Sequence, residues 1–202
     1  MSAYLEKSLL IFGDSRKQAQ KALQKTQETL WPSHTHHRTK VWIDNFFQLL
    51  DGYSPEAAQK WADLYTPDGQ FEAFGKTFKG SEAIKTHILR FWAMFPGLVH
   101  IPRSIYISRG THDESAMDIV AATTYAIRFP TGQVVTGESV ALLNVVQQGD
   151  RLAIRSNRLF LDPNPLTQAL EAQSSEETQK EVNYAHHENV MEESSPQVES
   201  LR

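Results

Sequence analysis

The chain has no cysteine among its 202 residues. This absence excludes disulfide bonds, thiolate metal ligands and thiol nucleophiles. No apolar run approaches the roughly 18 residues that a membrane span needs, and the short apolar patch near the start is followed by Gly13 and Asp14, which does not fit a secretory signal. The net charge of −4 also lacks the basic excess of a nucleic-acid-binding protein. These absences predict a cytoplasmic protein that binds neither nucleic acid nor a membrane.

Sequence signatures of cofactor and metal sites are lacking as well. The chain has no Gly-rich phosphate loop, no nucleotide-binding fingerprint, no nucleophilic-serine elbow and no HExxH motif. Histidines cluster at 34–37 and at 186–187. The first cluster has no carboxylate at ligand spacing, and the second lies in a segment that is expected to be disordered. The sequence therefore predicts no cofactor and no metal site.

Large apolar residues are concentrated in the middle of the chain. Residues 1–37 are predicted to be an extension, with a helix from Asp14 to about Trp31 and a polar linker after it. Residues 38–166 are predicted to be one domain with its own core. Residues 167–202 are acidic and rich in Ser, Gln and Glu. They can bury too little surface to offset the entropy of ordering, so a disordered tail with at most one helical turn at its start is expected.

The first half of the central domain shows helical spacing. The segment VWIDNFFQLLDG places its apolar residues on one face and ends at Gly52. Ser54-Pro55-Glu56 predicts the start of a second helix, which is expected to include Tyr65 and to stop at Pro67-Asp68-Gly69. A short hairpin, GQFEAF followed by KTFKG, then leads into a third helix that is expected to be capped at Ser81.

From Leu98 onward the apolar residues recur with period two. Residues 98–109, 115–129, 133–147 and 151–162 are predicted to be antiparallel strands joined by short turns. Both faces of the second of these strands are apolar or small, so both are expected to be covered. The helices would cover one face, and a second copy of the chain would cover the outer face in a homodimer.

The order of helices, kinked hairpin and long sheet, with "YTPDGQF…G…KGSEAI" at the junction, resembles the SnoaL-like group within the nuclear transport factor two superfamily. The resemblance covers about Arg38 to Pro165. It implies an α+β fold in which a cone-shaped, curved antiparallel sheet wraps around three helices. Polyketide cyclases, ketosteroid isomerases, scytalone dehydratases, epoxide hydrolases and non-catalytic binding modules share this fold, so the fold alone does not select a function.

The catalytic residues of the two best-known enzymes of this group are only partly matched. The tyrosine and general-base positions of ketosteroid isomerases correspond to Phe46 and Ala73, and the late aspartate corresponds to Ser139 or to the residue before it. Scytalone dehydratase is matched at His100, but its first-helix Tyr-Asp pair falls on Phe46 and Phe47. The resemblance therefore implies neither mechanism in the form used by those enzymes.

His100, Glu138 and Tyr125 are the predicted catalytic residues. His100 opens the first long strand and is expected to point into the cone, where it could transfer a proton; a hydrogen bond to the backbone is the structural alternative. Glu138 lies on a strand of small and apolar residues, where burial favours protonation or a cationic partner. An ion pair with Arg128 or Arg155 fits Glu138 equally well. Tyr125 or Asn144 would stabilise an enolate or oxyanion.

Aromatic and amide side chains are expected to bind the substrate, although an aromatic stripe at helical spacing is also typical of a core. The predicted substrate-binding residues are Tyr65, Phe74, Trp92, Tyr106 and Asn144.

Sequence and resemblance together predict a cofactor-independent cyclase, isomerase or dehydratase. Its substrate would be an apolar, carbonyl-bearing small molecule, polyketide-like or terpenoid-like, of secondary metabolism. The alternatives are a non-catalytic module for ligand binding or dimerisation, and an interaction role carried by the two ends of the chain. Convergence of Glu138 and His100 on one cavity would favour the enzyme, whereas opposite faces of the sheet would remove its main support.

Overall fold

A computed structural model of the chain describes residues 29–95, 97–109, 115–129 and 132–175. The chain divides into two units, Met1–Pro165 and Leu166–Arg202. Most of the predicted N-terminal helix and the predicted tail beyond residue 175 lie outside the described residues. Residues 164–175 are helical, which is longer than the single turn that the sequence allows at the start of the predicted tail. The apolar residues of LTQALEAQ recur at helical spacing, which explains this difference.

The sheet of the first unit contains six strands. They are β1 (Tyr65–Ala73), β2 (Lys76–Lys79), β3 (Val99–Arg109), β4 (Ala116–Arg128), β5 (Val134–Gln148) and β6 (Arg151–Leu161). Their order is β2-β1-β6-β5-β4-β3, and the curved sheet does not close into a barrel. All neighbours are antiparallel except β1 and β6, which run parallel. The predicted α+β fold and its four long strands are confirmed.

Three helices lie on one face of this sheet. They are α1 (His37–Leu50), α2 (Pro55–Ala62) and α3 (Ser81–Met94). Helix α2 begins as predicted, since Ser54 Oγ accepts a hydrogen bond from the backbone N–H of Ala57 at 3.0 Å. Gly52 permits the tight connection from α1, because a Cβ there would overlap Ala57 and lie 3.0 Å from Leu49 O.

The start of α3 differs from the prediction. The N-cap residue is Gly80, with a φ of 81°, and no side chain caps the helix there. Ser81 is instead the first helical residue. Glycine adopts this left-handed backbone without a steric penalty, and its N–H bonds to Gly69 O at 2.8 Å. The backbone conformation of the connection therefore sets the helix start.

Tyr65 lies in β1 and not, as the sequence predicts, in α2. Helix α2 ends at Ala62, and the chain then pairs Tyr65 with Ile154 of β6. The register shifts between Tyr65 and Gln70. Gly69 lies at this irregularity, where a Cβ would be 2.9 Å from Ile154 O and from the Tyr65 Cβ. The close approach of two backbones therefore ends the helix earlier than the apolar spacing suggests.

The core lies between the helices and the inner face of the sheet. The inner face of β4 carries the row that the alternation predicts, with Ile119, Ala121 and Tyr125 at most 3 % exposed. Below α2 the core is aromatic, and the Trp61 ring lies 5.3–5.6 Å from its neighbours. Those neighbours are Phe46, Tyr65 and Phe71.

Candidate functional site

A buried acid–base pair, Asp51 and His100, lies between the helices and the start of β3. Asp51 Oδ1 is 2.7 Å from His100 Nδ1, and Asp51 Oδ2 accepts a hydrogen bond from the backbone N–H of His100 at 2.9 Å. Each side chain is 10 % exposed. Because one carboxylate binds both the ring and the backbone of the same residue, the imidazole is held in one orientation.

The local structure explains how these two residues meet. Asp51 is the C-cap residue of α1, and His100 is the second residue of β3. The Tyr53 hydroxyl fastens the intervening connection, because it donates to Phe95 O at 2.9 Å and accepts from the backbone N–H of Leu98. The end of α1 is thus fixed against the segment that leads into β3.

The hydrogen bonds also determine which ring nitrogen of His100 is basic. An ionised carboxylate can only accept, so in the neutral imidazole beside such a carboxylate Nδ1 carries the proton and Nε2 has the lone pair. No described residue forms a hydrogen bond with Nε2. The Phe47 ring lies 6.2 Å from the imidazole and gives it an apolar neighbour. An imidazole anchored by a carboxylate at one nitrogen and free at the other can act as a general base.

Tyr125 is the cross-strand neighbour of His100 on the same face of the sheet. Its ring lies over Gly137, where an added Cβ would be 2.5 Å from the ring carbon Cζ. Burial, and secondarily the negative charge of Asp162, raises the pKa of the Tyr125 phenol. Its hydroxyl has no hydrogen-bond partner among the described residues. Tyr125 therefore offers a neutral donor next to the His100 ring.

Two hydroxyl side chains extend this polar patch along the inner face. Thr123 and Ser139 face each other on β4 and β5, and their side-chain oxygens are 2.5 Å apart. Both residues are 4 % exposed. Together with Asp51, His100 and Tyr125 they form a group of five buried polar residues, which we call the inner polar patch.

Asp51 is the member of this patch that the sequence does not reveal. It is 49 positions from His100 along the chain and reads only as the polar end of a helix before Gly52. A Tyr-Asp comparison at Phe46 and Phe47 misses it, because Asp51 lies one helical turn beyond Phe47. Only the packing of α1 against β3 brings the carboxylate to the imidazole.

Glu138 does not join His100. It pairs with Thr124 of β4, on the face of the sheet opposite to Tyr125 and Ser139, and it is exposed. Because side chains alternate along a strand, a shift of one residue exchanges the two faces. Glu138 and His100 therefore lie on opposite faces of the sheet, which removes the support that their convergence would have given to an enzyme. The carboxylate beside His100 is that of Asp51.

The predicted binding residues fall in different places. Tyr106 is 61 % exposed on the outer face. Asn144 is also on the outer face, where its Nδ2 donates to Asp118 Oδ1 at 2.7 Å. Trp92 is buried and its Nε1 donates to Leu50 O at 2.9 Å, which ties α3 to α1. Tyr65 is buried in the aromatic core, so of these four only Tyr65 lies on the inner side with an uncommitted proton.

Phe74 lies at an apolar groove. It forms the turn of the β1–β2 hairpin with Gly75, and both have positive φ angles, of 53° and 71°. This conformation is unfavourable for a bulky residue. The groove has a volume of about 230 Å³. It is lined by Phe74, Gly75, Leu159, Phe160, Leu161 and Pro163. Leu159 and Leu161 belong to the inner face of β6 and Phe160 to its outer face, so the groove lies where this strand ends.

The described residues contain neither a cluster of metal ligands nor a membrane-spanning helix. Among them, no three His, Asp or Glu side chains come close enough together to hold a metal ion. His36 uses its Nδ1 to accept the backbone N–H of Arg38 and thereby caps α1. None of the helices in the described ranges is long and apolar enough to span a membrane.

Comparisons with known proteins identify the fold. No protein-family model and no curated protein matches the sequence. A Xanthomonas campestris protein named for the calcium/calmodulin dependent protein kinase II association domain is 14 % identical and covers 70 % of this chain and 98 % of its own, with a TM-score of 0.57. A Catenulispora acidiphila protein in complex with S-DNPA is 22 % identical, over 64 % and 94 %, with a TM-score of 0.53.

A hexachlorocyclohexane dehydrochlorinase, LinA type 2, is 11 % identical over 62 % of this chain and 84 % of its own, with a TM-score of 0.53. At these identities the matches establish the fold and no more. They agree with the resemblance that the junction motif predicts. The chain shares the fold of these proteins, a curved sheet with helices on one face, which is the fold that the SnoaL-like resemblance implies.

Proposed function

We propose that the chain is a cofactor-independent acid–base enzyme of the cyclase, isomerase or dehydratase type, acting in the cytoplasm. Its substrate is an apolar small molecule with a carbonyl group, such as a polyketide-like or terpenoid-like compound. The observation that carries this proposal is the buried Asp51–His100 pair with its uncommitted Nε2. A structural neighbour named as a dehydrochlorinase and another in complex with S-DNPA support a small-molecule role.

The proposed step is the removal of a proton next to the carbonyl. His100 Nε2 takes the proton, and the electron pair of the broken C–H bond moves onto the carbonyl oxygen to form an enolate. The Tyr125 hydroxyl donates a hydrogen bond to this oxygen, and Asp51 stabilises the imidazolium. The enolate can then react in three ways. Return of the proton to another carbon gives an isomer, and loss of a β-hydroxyl group together with that proton gives water and an alkene. Attack of the enolate carbon on a second carbonyl of the same molecule, whose oxygen takes the proton, closes a ring.

Deuterium exchange tests this step without knowledge of the natural substrate. 1-Indanone, a small apolar ketone, exchanges the protons next to its carbonyl in D₂O, and NMR measures the rate. The wild-type chain should accelerate exchange, and His100→Gln should remove about 100-fold or more of that acceleration, as expected for a lost general base. His34→Gln, at an exposed histidine, is the matched control. Equal acceleration by the wild type and His100→Gln would refute the proposal.

A specific observation also favours the non-catalytic alternative. The Asp51 carboxylate bonds to the backbone N–H of His100 as well as to its ring, so the pair would stabilise the junction of α1 and β3 even in a binding module. Binding of 1-indanone without any acceleration of exchange would support this second function.

We also propose that the outer face forms a homodimer. Three exposed apolar side chains lie there on adjacent cross-strand rows: Tyr106, Leu142 and Phe160, exposed by 61 %, 36 % and 47 %. A second copy would cover the patch with the same patch, as in a two-fold symmetric interface. Light scattering should give twice the chain mass for the wild type and the monomer mass for Leu142→Glu. A wild-type monomer at 100 µM would overturn this assignment, since that concentration is about the limit for weak dimers.

A further inference from the structure

Two buried polar atoms in the aromatic core have no hydrogen-bond partner in the described part of the chain. They are Nε1 of Trp61 and Oδ1 of Asn157. Trp61 is 1 % exposed and Asn157 is 2 % exposed. A buried polar group without a partner is unfavourable, because it has given up its hydrogen bond to water. Neither residue takes part in the inner polar patch, so the proposed proton transfer does not account for them.

Both atoms belong to one cluster around Tyr65. The Trp61 ring meets the Tyr65 ring edge-on at a centroid distance of 5.3 Å. Asn157 Nδ2 donates to the Tyr65 hydroxyl at 3.0 Å. Phe71 connects the two sides, because it pairs with Asn157 in the sheet and lies 5.5 Å from Trp61. The two residues that carry the unpaired atoms, Trp61 and Asn157, therefore both contact Tyr65.

The charge state of the cluster limits what it can bind. Burial raises the pKa of Tyr65, so the phenol is neutral at physiological pH. Indole and amide are neutral as well, and an ionic group would be desolvated there without an opposite charge. A hydroxyl group fits, because it can accept from an N–H and donate to a carbonyl oxygen at the same time. The Asn157 amide could also be oriented with its oxygen and nitrogen exchanged. Tyr65 would then donate to Oδ1, and a hydroxyl group would accept from the unpaired Nδ2.

We propose that Trp61, Tyr65 and Asn157 form a second binding point that holds a hydroxyl group of the substrate. This inference rests on the proposed function, since it places the rest of the substrate toward His100. Ala121 and Ala141, which have small side chains, face each other on the inner side between the two points. Gly137, beside Tyr125, and Leu143, beside Asn157, are six positions apart on β5. The substrate class is therefore an elongated, hydroxylated ketone.

A pair of simple probes tests the second binding point alone. 5-Indanol and 5-methylindane have the same ring system and differ only in a hydroxyl against a methyl group. Their dissociation constants are measured by calorimetry and by quenching of tryptophan fluorescence. 5-Indanol should bind the wild type about tenfold more tightly, which corresponds to one buried hydrogen bond. The preference should disappear in Asn157→Leu and persist in Asn144→Leu, the same substitution on the outer face.

Trp61→Phe provides a second test if Asn157→Leu does not fold, because it keeps an aromatic ring and removes only the N–H donor. It should reduce the preference for 5-indanol several-fold. Equal binding of the two probes by the wild type, no binding of 5-indanol, or a preference that survives the substitutions would overturn the proposal and leave a buried water as the partner. Neither probe has a carbonyl group. If the wild type accelerates indanone exchange but does not prefer 5-indanol, only the second binding point is refuted. If it prefers 5-indanol but does not accelerate exchange, only the proposed reaction is refuted.

Discussion

Asp51→Asn tests the proposed general base by changing its tautomer and little else. The amide oxygen of Asn can still accept from the backbone N–H of His100, which Asp51 Oδ2 now binds at 2.9 Å. The amide nitrogen would then face Nδ1, the position that Asp51 Oδ1 occupies at 2.7 Å. Because an amide nitrogen only donates, Nδ1 must become the acceptor and the proton must move to Nε2. The lone pair that would remove the substrate proton is lost.

The expected effect on catalysis is larger than the effect on stability. A wrong imidazole tautomer lowers turnover by about 10⁴ in the serine-protease precedent, and we expect Asp51→Asn to lower indanone exchange about as much as His100→Gln does, by about 100-fold or more. Both hydrogen bonds persist in altered form. The free energy of unfolding should therefore fall by only about 1–2 kcal/mol, the difference between charge-assisted and neutral hydrogen bonds.

Three measurements decide this prediction. Indanone exchange gives the rate, urea unfolding gives the stability, and ¹⁵N NMR of His100 reports which ring nitrogen carries the proton. Asp44→Asn, at an exposed position of the same helix, is the control and should leave all three unchanged. Exchange within tenfold of the wild type, combined with a proton moved to Nε2, would refute the base role of His100.

Three further predictions concern neighbouring groups. Tyr125→Phe should slow exchange by about 10–100-fold, and because the pKa of Tyr125 is raised, the wild-type rate should show no alkaline loss from this phenol up to about pH 10. Gly137→Ala should displace the Tyr125 ring, lowering exchange and costing about 1–3 kcal/mol in thermal unfolding. Burial, with Lys76 and Arg90, lowers the pKa of His87 to about 4. The folded state therefore resists protonation, and stability that is complete above pH 6.5 should fall by about 1–2 kcal/mol toward pH 4, after allowance for solvent screening. His87→Gln should remove that part of the pH dependence in urea titrations.

The sequence predicts the sheet because alternation is a local signal. The alternation within each strand shows which of its residues share a face, and the predicted row of β4 residues that includes Thr123 and Tyr125 does share one face. Alternation does not show which face of a neighbouring strand lies beside that row. This depends on the pairing register, and Glu138 and Ser139 exchange roles when the register moves by one residue. The sequence predicts that the candidate acid Glu138 lies inside, but the pairing register places Ser139 there and Glu138 on the outer face, one position away.

Helix ends are less predictable for a related reason. The apolar spacing continues through Tyr65, but the pairing of Tyr65 with Ile154 turns it into a strand residue. The backbone conformations at Gly69 and Gly80 set the end of α2 and the start of α3. Because glycine can adopt many conformations, the sequence does not show which one it takes. Asp51 illustrates the same limit at the functional site, since its role arises from a contact across 49 residues.

The position of Asp51 at the C-terminus of α1 also helps His100 to act as a base. The C-terminus of α1 carries partial negative charge from its unpaired carbonyl groups, and this field favours a nearby cation. His100 becomes a cation only after it accepts the substrate proton. Asp51 and the helix end therefore stabilise the state that forms during proton removal more than the neutral state that precedes it. A glutamate on the exposed face of β5 would give no such differential stabilisation, which is why the helix-borne carboxylate is the better partner for His100.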